Sequence, residues 1–97
     1  MDDAFRWPST WMPIQQQGKQ LESELAKEVG LGHPLKGIRV RAIAVSCSSD
    51  DVLFELLDGP RKYAIVHLTW RGLAEPDASW PATQFFDRLQ DALPDPS

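Results

Sequence analysis

His67 is the residue of this chain best suited to chemistry. It lies within Ala64-Ile65-Val66-His67-Leu68-Thr69-Trp70, where a nearby carboxylate could tune an imidazole across neutral pH and make it a proton carrier. Glu55, Glu75 and Asp77 are the candidate carboxylates, and no spacing rule selects one of them. The plainer use of His67, a ring filling one face of a sheet with one nitrogen bonded to a neighbour, is preferred. Trp7, Trp11, Trp70 and Trp80 carry a softer signal. Tryptophan offers a large area with one polar handle and is enriched at binding hot spots, although a small protein also uses it to plug the open ends of a sheet. Arg39 and Arg41 share one face of a strand; a cross-strand ion pair with Glu55 is the expected use, and a cradle for phosphate or another acidic ligand is the sharper one.

Other chemistry lacks its pattern. His33, His67 and Cys47 are not spaced as zinc ligands, which come in short pairs. Asp50-Asp51 lacks the alternating oxygen ligands of a calcium loop. The glycines Gly30, Gly32 and Gly37 follow a helical pattern, not a strand, and no Gly-Lys-Ser/Thr follows them, so they read as cap and turn residues. Serines and aspartates around Cys47 would raise a thiol pKa, and no Gly-x-Ser-x-Gly elbow exists. No cofactor, metal or catalytic residue is expected.

The totals bound what can hold these residues. A chain of 97 residues is one domain by size and buries only ~60–65% of its unfolded surface. A net charge of −4 argues against nucleic acid and against a polybasic membrane anchor. One cysteine, an acidic start without an apolar stretch, and no run long enough to span a bilayer give the expectation of a soluble cytoplasmic protein.

Residues 1–13 are punctuated by proline and read as an extended arm whose tryptophans need a surface to lie on. Ile14, Leu21, Leu25 and Val29 form a stripe that predicts a helix over about 14–29, with Lys19, Glu22, Glu24, Lys27 and Glu28 solvated and Gly30 as a left-handed cap. Strands are expected over 38–46, 52–57 and 63–70. In the first, Ile38, Val40, Ala42 and Ala44 share one face; in the last, Ala64, Val66, Leu68 and Trp70 do. Phe85, Phe86, Leu89, Ala92 and Leu93 predict a closing helix beginning near Pro81.

The expected fold is therefore α+β: a three-stranded antiparallel meander with an N-terminal and a C-terminal helix, in the order α-β-β-β-α, both helices covering the face of Val66, Leu68 and Trp70. The domain would span 14–93, between the arm and a frayed tail over 94–97. The reverse face, with Ile65 and His67, is too apolar to stay bare, so the arm or a second copy should cover it.

Gly32-His33-Pro34-Leu35, Asp51-Val52-Leu53-Phe54, the Val66-His67-Leu68-Thr69-Trp70 string and Trp80-Pro81-Ala82-Thr83 resemble segments of a family of small uncharacterised bacterial proteins of about this length. The resemblance runs roughly from Leu21 to Leu93. It implies a bacterial, single-domain, cytosolic chain and brings no activity, cofactor or site residue with it.

The surplus of apolar side chains favours a non-enzymatic module that binds a protein partner or a second copy of itself. Two alternatives accompany it. One is a small ligand-binding or acid/base domain with a pocket near His67, Thr69, Trp70, Glu75 and Trp80; the other is an immunity or antitoxin-like partner of a basic protein.

Overall fold

In a computed structural model, which describes residues 10–14, 18–30, 32–70 and 81–92, the β-branched and aromatic segments Asp51–Leu56 and Tyr63–His67 form the centre of a sheet. The elements run β1 (Trp11–Pro13), α1 (Gly18–Glu28), β2 (Val40–Ser46), β3 (Asp51–Leu56), β4 (Tyr63–His67), β5 (Thr83–Phe86) and α2 (Leu89–Ala92). The sheet has five strands in the order β1-β2-β3-β4-β5, each antiparallel to its neighbour. The α+β class holds, but the three-stranded meander is wrong: a strand is added at each edge.

Both added strands come from segments read otherwise. In the expected arm, Trp11 pairs with Ser46 and Pro13 with Ala44. Proline is tolerated there because β1 is an edge strand. In the expected last helix, Thr83-Gln84-Phe85-Phe86 pairs with β4, and among the described residues only Leu89–Ala92 is helical there. The adjacent phenylalanines, which a helix would place on one stripe, instead point to opposite sides of the sheet. Phe85 packs with the first core and Phe86 with the second.

A β-bulge explains a second departure. The register passes from Ala42↔Phe54 to Ala44↔Leu53, so Ile43 is an extra residue in β2. The alternation therefore inverts beyond it. Ala42 faces the first core as expected, but Ala44 turns to the second, and Val45 replaces it on the first. Backbone groups beside the bulge find partners: the Ile14 N–H donates to the Ile43 carbonyl at 3.0 Å, and the Ala42 N–H to Glu22 Oε2 of α1 at 2.9 Å.

Two cores result. Leu21, Leu25 and Val29 from α1 and the turn after it pack on Ala42, Val52, Phe54, Leu56, Ala64, Val66 and Leu68. On the other face, Ala92 and Leu89 of α2 and Trp11 of β1 cover Ala44, Leu53, Tyr63, Ile65 and Phe86. The helices thus lie on opposite faces, contrary to expectation, because α2 follows a fifth strand whose end delivers it to the reverse side. The reverse face is thus partly covered within the chain, by α2 and Trp11.

Two local details complete the frame. Gly30 is not left-handed; that conformation falls at Gly32, where φ is 90°. His33 is buried, accepts the Leu35 N–H at Nδ1 (3.0 Å) and donates from Nε2 to the Pro81 carbonyl (2.9 Å), tying the turn after α1 to the entry of β5.

Candidate functional site

The expected solvated face of α1 is half wrong, and the error locates the most unusual site. Glu24 and Glu28, one helical turn apart, are buried at 7% and 0% exposure. Strand β4 ends at His67, and the chain behind it turns sharply so that two successive backbone N–H groups aim at Glu28. Thr69 donates to Oε1 and Trp70 to Oε2, both at 2.8 Å. Successive N–H groups of this kind form an anion-binding concavity, here filled by the protein's own carboxylate. Burial pushes the Glu28 carboxyl above its ordinary value of 4.5, and the hydrogen bond to the Glu24 carboxyl pushes it the same way. The two N–H groups and the Thr69 hydroxyl pull it back.

This clamp holds Trp70 in a conformation that residues with a Cβ avoid. Its φ is 60°, and among described residues it is the one non-glycine with positive φ. The side chain is 50% exposed. Trp70 is therefore no member of the core row with Val66 and Leu68; that expectation fails because the strand ends first, and a pleat's alternation carries no information past its last paired residue. The indole instead borders an open depression of about 490 Å³ with Lys19, Gln20, Ser23, Glu24 and Lys27 of α1. With Glu24 and Glu28 turned inward and Glu22 bound to Ala42, the exposed charges of α1 are Lys19 and Lys27. A chain of net charge −4 thus presents a local cationic strip beside an exposed tryptophan.

His67 lies on the other face. Its carboxylate is none of the three considered: Nδ1 bonds Asp51 Oδ1 at 2.9 Å, directly across from it in the β3–β4 register. A carboxylate only accepts, so Nδ1 carries the proton. Asp51, Ile65, His67, Ala82, Thr83 and Gln84 line a cavity of about 370 Å³. The register in which β3 and β4 meet opposes Asp51 to His67 and Glu55 to Tyr63. The Glu28 clamp had only the spacing of Glu24 and Glu28 to signal it, and that spacing equally suits a solvated face.

The remaining expected residues scatter. Arg41 pairs with Glu55 across the sheet as anticipated. Arg39 does not join it in a cradle: its guanidinium grips Asp58 through Nη2 at 2.8 Å and Nε at 3.1 Å, while its backbone N–H donates to Oδ2 at 2.9 Å. Those bonds bring Asp58 down to about 2. Trp11 is half-buried in the second core. Trp7, Glu75, Asp77 and Trp80 lie outside the described residues. His67 and Trp70 border different depressions.

No helix among the described residues is long and apolar enough to cross a membrane. No family model, no curated protein and no solved structure matches the chain.

Proposed function

We propose that this protein is a non-enzymatic interaction module that docks an acidic, apolar-anchored segment of another protein onto Trp70 and the lysines of α1. The observation that carries the reading is Trp70 itself, a large apolar side chain held half out in water by a left-handed backbone that a buried carboxylate clamps. Such a conformation costs of order 1–3 kcal/mol and persists only where the surroundings enforce it, which is the pattern of a residue kept in place for use. Lys19 and Lys27 flank the same depression and set the chemistry of the partner: carboxylates for the lysines and an apolar or aromatic group to stack on the indole. A protective partner of a basic protein would have to dock elsewhere on the chain.

The test is an NMR titration of the intact protein with a synthetic peptide of glutamates around a central phenylalanine. Saturable shifts at Lys19, Ser23, Lys27 and the Trp70 indole are expected, and Lys19→Glu with Lys27→Glu should weaken binding by about tenfold or more. An equal response to a lysine-bearing analogue of the peptide, or no loss in the charge-reversed variant, would sink the reading.

A further inference from the structure

Trp70 borders a second depression as well as the one beside Lys19 and Lys27, and the two differ in charge and size. Leu21, Val45, Ser49, Asp50, Asp51 and Val52 complete the second, which measures about 170 Å³. Its rim is the turn between β2 and β3, and hydrogen bonds hold that turn in shape. The Ser48 N–H donates to Ser46 Oγ at 3.2 Å and the Asp51 N–H to Ser49 Oγ at 3.3 Å. The Leu68 N–H, two residues before Trp70, donates to the Asp50 carbonyl at 3.3 Å. The turn is thus tied to the chain that leads to the indole through a main-chain group, which any side chain at position 50 leaves in place. Of its two carboxylates, Asp51 is engaged by the Ser49 hydroxyl at 3.0 Å and by His67 at 2.9 Å. Asp50 is exposed and has no hydrogen bond or ion pair to its side chain among the described residues. No lysine or arginine lines this depression, whereas Lys19 and Lys27 line the other and are likewise without an ion pair among the described residues.

A volume of about 170 Å³ lies below the small-molecule range of ~300–1,000 Å³, so the apolar floor of Leu21, Val45 and Val52 suits one side chain of a protein partner better than a free ligand. The indole therefore stands between a cationic depression and an acidic one with an apolar floor. We infer that the segment docked on Trp70 is polarised in charge: acidic residues over Lys19 and Lys27, an apolar pair over the indole and into the Leu21–Val45–Val52 floor, and a basic residue at Asp50. This rests on the docking reading above and adds to it the order of charges in the partner. A segment acidic at both ends sets a carboxylate against Asp50, and such juxtaposed like charges are a common means of rejecting a wrong partner.

The experiment titrates the intact protein by NMR with the peptide Glu-Glu-Phe-Leu-Arg-Arg, made in both chain directions, and with the all-acidic Glu-Glu-Phe-Leu-Glu-Glu. An ionic strength of about 0.15 M screens charges more than ~8 Å apart. In one direction the mixed peptide should bind about threefold or more tighter than the acidic one, and its shifts should extend from Lys19, Lys27 and the Trp70 indole to Ser49, Asp50 and Val52. Asp50→Asn should remove that preference and Asp50→Lys reverse it. Asp91→Asn changes the net charge equally but lies on α2, over the second core, and should keep it. Equal binding of acidic and mixed peptides to the parent would overturn the assignment while leaving the docking reading intact, provided both peptides shift Trp70 and the lysines. A preference that survives Asp50→Lys, or that Asp91→Asn removes as fully as Asp50→Asn does, would overturn it too. No shift at Trp70, Lys19 or Lys27 with any of the peptides would overturn both.

Discussion

Replacing Trp70 by glycine and by alanine tests the clamp by the sign of a difference. With the side chain 50% exposed, either change removes about half of the 150–250 Å² an indole can bury, roughly 2–3 kcal/mol at 25 cal/mol/Å². That loss is common to both variants and cancels between them. What remains is the backbone. At φ 60° alanine keeps the steric conflict of a Cβ, about 1–2 kcal/mol, which glycine escapes; the looser unfolded chain of glycine returns about 0.5–1 kcal/mol of this. Trp70→Gly should therefore be the more stable variant by about 0.5–1 kcal/mol, a few tenths of a molar in the urea midpoint. Were Trp70 the last residue of an extended strand, alanine would win by about as much, since glycine weakens strands. Urea denaturation of both variants with equal slopes decides it, and Trp70→Ala at or above Trp70→Gly refutes the left-handed clamp.

Leu68 is fully buried in the first core, and Leu68→Ala should cost ~2–5 kcal/mol through the cavity it leaves, read as a drop in thermal midpoint; an unchanged midpoint would remove Leu68 from the core. Glu28 is raised above 4.5, so its contribution to stability is fully present below 4.5 and lost as pH rises through its folded value. The stability advantage of the parent over Glu28→Gln should shrink as pH rises from 4.5; an advantage that grows would mean that burial does not raise this carboxyl. Asp58 behaves in the opposite sense, since its folded value of about 2 lies below its ordinary 3.8. The stability that it contributes is present above 3.8 and lost as pH falls toward 2, so parent and Asp58→Asn should converge at that acid limit in denaturation midpoints.

The parts of this protein legible in its sequence are those settled by local pattern. Alternation placed Val52, Phe54 and Leu56 opposite Leu53, and Ala64, Val66 and Leu68 on the first core, because a paired strand leaves its side chains no other choice. The stripe of Leu21, Leu25 and Val29 likewise located α1 and its buried side. The pair Arg41–Glu55 followed from the same pleat.

What pattern could not supply was decided by partners distant in sequence. The bulge at Ile43 reverses the parity of β2, and no residue type announces it. Thr83-Gln84-Phe85-Phe86 fits a helical stripe as well as a strand, and the open edge of β4 made it a strand, which carried α2 to the reverse face. The same holds at both sites. Whether Glu28 is solvated or clamped, and whether His67 meets Asp51 or another carboxylate, depends on which backbone groups the tertiary fold leaves in need of an acceptor and on the register in which two strands meet.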